Sequence, residues 1–167
     1  MATSDGNYVF HEEFPTEANV AKVLFTVAFV SLGIGAFFGL VQTLHRTNFL
    51  RIFDSADYYT LLTGHGVLLA IVFTIFSLAA VFHWAVARSL RRPAVSSLYS
   101  WAWVGLMTTG ATLVAIAIVA GFFPSLDMSA DVLYTFYAPL QAHPIFYIGL
   151  AMFIVGTWLA GADWFLS

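Results

Sequence analysis

Residues 58–76 read YYTLLTGHGVLLAIVFTIF, a run with no charged side chain and a single histidine, His65. The apolar stretch continues to Val86, so it exceeds the roughly 20 residues that an α-helix needs to cross a bilayer. A histidine inside such a segment is costly unless it has a partner. The stretch therefore predicts a membrane-spanning helix that carries one candidate functional residue.

Three further stretches have a similar length and composition, at residues 20–44, 97–123 and 140–162. Each is apolar on all sides, as expected of a helix in lipid or in the core of a bundle. Turn-forming residues separate the stretches. The sequence thus predicts an all-α integral membrane protein with four transmembrane helices.

The composition excludes several other classes of protein. Of the 167 residues, 60% are hydrophobic and 9% are charged, whereas a soluble domain carries about 25% charged residues. There is no cysteine, which excludes disulfides, thiolate haem ligation and Cys-based zinc sites. The net charge is −3 and the basic residues form no patch, so membrane lipid is an expected partner and nucleic acid is not.

Residues 1–19 carry only acidic charges, at Asp5, Glu12, Glu13 and Glu17. A secretory signal peptide needs a basic region followed by an early apolar core. This segment has neither, so it is predicted to be an exposed acidic tail.

The basic residues between the helices predict the orientation in the membrane. Three arginines lie within residues 88–92, whereas the connection around residues 127–131 is acidic. This places the second connection and both termini in the cytoplasm. Arg46 and Arg51 in the first connection weakly indicate the opposite orientation, although two aspartates accompany them.

Gly35 and Gly39 in the first helix have the spacing that lets two helices approach closely. A tight contact inside the bundle is the main interpretation, and a dimer contact is the alternative. His65 also has two interpretations. In the first, His65 is a metal ligand, and Gly64 and Gly66 leave space for a flat macrocycle. In the second, it is a core histidine that is hydrogen-bonded to a neighbouring helix.

Two long strings in the chain resemble one membrane-enzyme family. They are residues 58–76 and the segment VLYTFYAPL at residues 132–140. Both are similar to subunit I of the haem-copper terminal oxidases, in the ba3-like (B-type) branch, and Gln42 with the glycines of the first helix agrees more loosely. The resemblance implies that His65 is an axial ligand of low-spin haem b and that Tyr134 belongs to the haem pocket.

The resemblance also implies the fold and the reaction. The chain would be the first part of a twelve-helix subunit of a prokaryotic plasma-membrane oxidase in aerobic respiration. Electrons from a cytochrome c or cupredoxin would reduce O2, coupled to proton translocation, with subunit II as a partner. The second low-spin ligand, the high-spin haem and copper would require the later helices. The chain, which ends in an apolar segment, is therefore predicted to be an inactive fragment on its own.

The remaining histidines carry weaker hypotheses. His143, with Pro144 and Tyr147, has the spacing of a copper-binding helix. It directly follows residues 132–140, however, which resemble the loop that enters the family's fourth helix, and no histidine pair follows it. His83 lies 18 residues after His65, which is five turns at 3.6 residues each. That spacing permits a second haem, although an interfacial histidine beside Trp84 and Arg88 is favoured. No role is assigned to the remaining two histidines, His11 and His45.

Two alternative functions remain open from the sequence. In the first, His65 and His143 hold one haem in a self-contained four-helix cytochrome b that carries electrons. In the second, the chain is a structural membrane subunit without a cofactor. The related nitric oxide reductases share the His65-type ligand, so this part of the sequence does not separate oxygen reduction from nitric oxide reduction by its chemistry.

Overall fold

The computed structural model describes residues 9–49 and 53–167. The α-helices of this part of the chain are α1 (Phe10–Glu13), α2 (Pro15–Arg46), α3 (Ser55–Gly66), α4 (Thr74–Leu90), α5 (Ser97–Ala120) and α6 (Pro144–Leu166). A π-helical segment, Val67–Phe73, joins α3 to α4, and a short 3-10 turn, Pro124–Leu126, follows α5. Asp5 and Arg51, which entered the charge predictions, lie outside the described residues.

Four of these helical rods are long and apolar enough to cross a membrane. They are α2, the continuous rod Ser55–Leu90, α5 and α6, with 32, 36, 24 and 23 residues. Their most apolar windows have mean hydropathies between 1.9 and 2.3. At 1.5 Å per residue, even the shortest exceeds the roughly 30 Å hydrocarbon core of a bilayer. The predicted all-α architecture of four transmembrane helices is confirmed.

The first long helix begins earlier than predicted. It starts at Pro15, which occupies a first-turn position where a missing N–H group costs little. Glu17 therefore lies within α2, and its side chain is only 3% exposed. Its carboxylate Oε1 accepts a hydrogen bond of 2.8 Å from the backbone N–H of Ala94. The prediction of an exposed acidic tail is wrong for Glu17.

The fourth long helix begins later than predicted, at Pro144 rather than at residue 140. The preceding segment is extended and pairs with the chain that follows α5. Ala142 and Ala130 form an isolated antiparallel bridge, and the N–H of His143 donates to Ser129 O at 2.8 Å. The connection between α5 and α6 is therefore a loop closed at its base.

Helices α5 and α6 pack backbone to backbone through two glycines. A Cβ atom added to Gly110 would lie 2.5 Å from Gly149 O and 2.6 Å from Phe153 N. A Cβ atom on Gly149 would lie 2.7 Å from Gly110 O. Small residues permit such an approach between membrane helices.

Gly110→Ala is expected to destabilise the bundle, because its Cβ would meet backbone atoms that cannot move aside by changing rotamer. An overpacked contact of this kind costs about 1–3 kcal/mol. The matched control is Gly105→Ala in the same helix, whose Cβ meets nothing within 4 Å and which should gain up to about 1 kcal/mol of helix propensity. Unfolding in detergent measures both changes, and equal stabilities of the two variants would contradict the packing argument.

The core between the helices is mostly apolar, with Trp103, Phe76 and Phe146 fully buried. The buried polar and charged residues are the exceptions: Glu17, Ser31, Gln42, Thr60, Thr63, His83, Ser100 and Asp163. Several of these lie beside His65, and others form a cluster where the first residues of α2 meet the last turns of α4 and α6. Polar groups at such depth in a membrane protein point to function.

Candidate functional site

The side chain of His65 lies near the end of α3 and is directed at helix α2. Its Nδ1 atom is 2.8 Å from the backbone oxygen of Gly35, and the residue is half-buried. A second hydrogen bond holds the same two helices together, since Gln42 Nε2 donates to Leu61 O at 3.0 Å in the buried interior. His65 is thus positioned by a helix pair and not by its own helix alone.

The glycines of α2 make room for the helix that carries His65. A Cβ atom on Gly39 would lie 2.6 Å from His65 Cε1 and 2.8 Å from His65 Nδ1. A Cβ atom on Gly35 would lie 2.7 Å from Leu69 Cδ2. The prediction of a tight contact inside the bundle is confirmed for this glycine pair.

The hydrogen bond at Nδ1 determines the tautomer of His65. A carbonyl oxygen can only accept a hydrogen bond, so Nδ1 must carry the proton. In a neutral imidazole the other nitrogen, Nε2, then holds a free lone pair. Among the described residues Nε2 has no hydrogen-bond partner. Histidines that bind metals typically donate their second N–H to a backbone carbonyl or carboxylate in this way.

The glycines that flank His65 pack against protein side chains. A Cβ atom on Gly64 would lie 2.6 Å from the ring of Phe38 and 3.1 Å from Ile118, and one on Gly66 would lie 2.5 Å from the ring of Tyr134. Both glycines therefore serve close helix and loop packing, and the expectation that they leave open space for a macrocycle is wrong.

Tyr134 reaches Gly66 because a hydrogen bond anchors its loop to α3. The hydroxyl of buried Thr63 donates to Tyr59 O at 2.8 Å and accepts from the N–H of Leu133 at 2.9 Å. Leu133 has a positive φ of 62°, which turns the chain at this point. Tyr134 itself is 47% exposed, so its ring covers Gly66 while its outer edge remains accessible.

The two phenylalanines that follow His65 in the second span have different neighbours. The ring of Phe73 lies 6.3 Å from that of Phe29 on α2, which is also the helix that His65 contacts. Phe76 is fully buried, and its ring centroid lies 5.8 Å from that of Phe153 on α6. Only Phe73 is therefore on the α2 side of the helix that carries His65.

His83 is buried between the helices, toward the end of α4. It is 2% exposed, and its ring packs edge-to-face on Trp103 with centroids 5.5 Å apart. The two residues expected beside His83 lie at the protein surface. Trp84 is 40% exposed, and the guanidinium of Arg88 lies 5.4 Å from the Trp84 ring centre.

The two histidines of the second span also face different helices. His65 contacts α2, whereas His83 contacts α5 and α6. The expectation that they share one face assumed a regular α-helix, but the π-helical segment Val67–Phe73 lies between them. A π-helical turn holds more residues than an α-helical turn, so it shifts the angular phase of everything after it.

A buried carboxylate, Asp163, organises the region around His83. Asp163 is 0% exposed and accepts hydrogen bonds from Ser100 Oγ at 2.8 Å, Trp103 Nε1 at 2.9 Å and Val95 N at 3.3 Å. His83 Nδ1 lies 4.0 Å from Asp163 Oδ2. The carboxylate thus accepts hydrogen bonds from α5 and from the connection that precedes α5.

Sequence reasoning missed Asp163 and gave Glu17 the wrong environment. Both bind the connection between α4 and α5, Glu17 at Ala94 N and Asp163 at Val95 N. The sequence did contain a signal for Asp163, since it is a lone carboxylate that directly follows an apolar run. Ionisable residues in membrane spans are rare and tend to face the bundle interior. That both carboxylates bind the same connection could not be predicted, because they lie far from it and from each other in the sequence.

His143 caps the helix that follows it. Its Nδ1 accepts a hydrogen bond of 3.3 Å from the N–H of Ile145, and Pro144 occupies the first turn. The ring of His45 lies 5.4 Å from that of Tyr58, and His11 lies in α1. Within residues 9–49 and 53–167, no group of three or more His, Cys, Asp or Glu residues could hold a metal ion.

Comparison with known proteins identifies the family of this chain. The family described as cytochrome c and quinol oxidase polypeptide I matches residues 19–167. The chain belongs to this family. Within it, cytochrome c oxidase subunit 1 of Thermus thermophilus is 34% identical over 158 residues, which cover 90% of this chain and 26% of the Thermus protein.

The fold of this oxidase-family chain also matches a solved structure. A heme-copper terminal oxidase dimer, solved by cryo-EM, superposes with a TM-score of 0.73 and 28% sequence identity. The match covers 90% of this chain and 26% of the oxidase chain. The chain therefore spans about a quarter of the length of both proteins, and its four helices correspond to a part of the family fold.

Proposed function

We propose that this chain supplies the first low-spin haem b ligand of a respiratory terminal oxidase, and that the ligand is His65. The observation that carries the proposal is the hydrogen bond from His65 Nδ1 to Gly35 O at 2.8 Å, since it leaves the Nε2 lone pair free for iron. Gly39 supports this geometry, because its missing side chain makes room for the ring. The residues present fit a haem ligand.

The protein's contribution at this site is orientation and tuning. The Gly35 carbonyl fixes the ring plane and raises the electron density on Nε2. Tyr134 packs on Gly66, next to His65, and the low polarity of the bundle would set the dielectric that a bound iron experiences. When bound, haem supplies one-electron redox chemistry, with a potential that depends on these contacts.

The whole-protein function proposed here is that of a cytochrome c oxidase. The family match and the Thermus relative support an enzyme that accepts electrons from a cytochrome c or cupredoxin, reduces O2 and translocates protons. The long strings shared with the B-type branch favour oxygen over nitric oxide. The high-spin haem, the copper and the second low-spin ligand would come from the rest of subunit I, and subunit II would be a partner.

The proposed location is a prokaryotic plasma membrane, with membrane lipid around the four helices and both termini in the cytoplasm. The arginines at residues 88–92 follow the second span, whereas the connection between α5 and α6 carries Asp127 and Asp131 and no basic residue. Basic connections remain on the cytoplasmic side. The Thermus relative favours a bacterial source.

Gly39→Ala tests the proposal at His65. The added Cβ would lie 2.6 Å from the imidazole, so the ring must rotate and give up its hydrogen bond to Gly35. Losing such an outer partner typically weakens metal binding about 10–100-fold. We expect a matching rise in the haem dissociation constant, measured by spectrophotometric titration of the assembled protein.

The matched control for this measurement is Gly33→Ala in the same helix, because a Cβ on Gly33 meets nothing within 4 Å. Haem affinity should be unchanged in the control. If Gly39→Ala retains haem as well as Gly33→Ala does, the Gly35–His65 contact does not orient a haem ligand.

The self-contained cytochrome b is less well supported by the contacts of His143. Its Nδ1 accepts a hydrogen bond from Ile145, so in the neutral ring Nε2 carries the proton. Neither nitrogen then has a free lone pair for iron. A reduced-minus-oxidised spectrum of the isolated 167-residue chain separates the two functions: a stoichiometric low-spin b-type spectrum would favour the self-contained cytochrome, and little bound haem would favour the oxidase subunit.

A further inference from the structure

The buried cluster around His83 has no part in the proposed haem site. His83, Asp163 and Glu17 come from three different helices and are 2%, 0% and 3% exposed. They meet near one end of the bundle, beside the connection that follows Arg92. A space between the helices lies there, and it is too narrow to hold a water molecule. Its lining includes Glu17, His83, Arg92 and Ala94.

The hydrogen bonds in this cluster account for the burial of the two carboxylates but not for the burial of the His83 imidazole. Asp163 binds Ser100, Trp103 and Val95, and Glu17 binds Ala94. These contacts join the connection to α2, α5 and α6 without any contribution from His83.

His83 makes no hydrogen bond within the described part of the chain. Its Nδ1 lies 4.0 Å from Asp163 Oδ2, and its Nε2 is buried without a partner. Burying an imidazole in this state is less favourable than burying a phenyl ring of similar shape. A purely structural role would therefore be served better by phenylalanine, which could keep the edge-to-face contact with Trp103.

Burial of the ring opposes an added proton, and the charges around the ring favour one. Asp163 and Glu17 are the charged groups that act on His83. Arg92 lines the same space from the connection, and Arg88 on the helix of His83 lies over Trp84. From α5 the ring meets Trp103, which has no charge. With a neutral imidazole the three buried side chains carry two negative charges, and a protonated imidazole leaves one and forms an ion pair with Asp163.

We propose that His83 and Asp163 form a buried proton-binding dyad at the end of the bundle that carries the arginine-rich connection. The proton leaves a hydronium ion or a buffer acid in the bulk solvent and forms an N–H bond with the lone pair of the unprotonated ring nitrogen. No electron is transferred, and the dyad changes from a carboxylate beside a neutral ring to an ion pair.

The test is a pH titration of the assembled membrane protein in nanodiscs, followed by infrared difference spectra with ¹⁵N-labelled histidine. We expect an imidazole band shift as the pH is lowered, because a neutral histidine gains its charge on acidification, together with a change in the carboxylate bands. His83→Phe should abolish this step, while its unfolding midpoint equals or exceeds that of the unchanged protein.

Two further variants make the result decisive. Asp163→Asn should also abolish the step, because the charge that stabilises the imidazolium is gone. His45→Phe, at the opposite end of α2, should retain it. A spectrum of His83→Phe identical to that of the unchanged protein overturns the proposal, and so does a step that persists in Asp163→Asn. The haem spectrum of His83→Phe should be unchanged, so this test is independent of the proposed role of His65.

Discussion

His65→Ala is expected to remove the low-spin b-type haem spectrum from the assembled oxidase. The surroundings of His65 leave its Nε2 available to iron, because Gly35 O holds the Nδ1 proton at 2.8 Å. Alanine has no donor atom for iron, so one of the two axial bonds is lost outright. The measurement is a reduced-minus-oxidised spectrum, with total haem determined as the pyridine haemochrome.

His65→Met separates a ligand from a residue that only packs. Methionine can coordinate iron, and its thioether in place of an imidazole raises the reduction potential of a haem. We therefore expect His65→Met to keep some low-spin haem at a more positive midpoint potential. His143→Ala is the control and should retain the spectrum. If His65→Ala retained full low-spin haem while His143→Ala lost it, the ligand assignment would be wrong.

Asp163→Ala is expected to give the largest loss of stability in this chain. The substitution removes the acceptor of three hydrogen bonds and leaves the buried donors of Ser100, Trp103 and Val95 without it. Removing one side of a buried charged network typically costs about 3–5 kcal/mol. The free energy of unfolding, measured by denaturant titration in mixed micelles, should fall by about this amount.

Two variants control for the loss of a carboxylate as such. Asp163→Asn keeps an oxygen that can accept from Trp103 and Ser100, so we expect it to lose less stability than Asp163→Ala. Glu13→Ala removes an exposed carboxylate in α1 and should change stability by no more than about 0.5 kcal/mol. A stability of Asp163→Ala equal to that of Glu13→Ala would show that the network does not hold the helices together.

The four spans could be predicted because a bilayer imposes its thickness on the sequence. An apolar run of some 20 residues has few alternatives to a transmembrane helix, since its backbone groups must be satisfied internally. The helix ends were harder to predict. Pro15 begins α2, and Pro144 begins α6 with His143 as its cap; neither start follows from hydropathy.

The candidate site was predicted in part, because His65 is a polar residue within an apolar run. The role of its neighbours was not. Gly64 and Gly66 are next to His65 in sequence, but Phe38 and Tyr134 occupy the space beside them. The residues that orient the ring are Gly35 and Gly39, which lie on another helix. A sequence shows which residue is unusual, but the position of its partners depends on how the helices pack.

The sequence by itself determined that this protein is a four-helix membrane protein with His65 as its principal candidate ligand. Local properties carry that information: hydropathy, length and one conspicuous residue. Only the tertiary structure decided which polar groups meet. Asp163 binds Ser100 across 63 residues of chain, and Glu17 binds Ala94 across 77. The π-helical segment Val67–Phe73 sends His65 and His83 to different neighbours, because a wider turn changes the phase of a helix without leaving any periodic trace in the sequence.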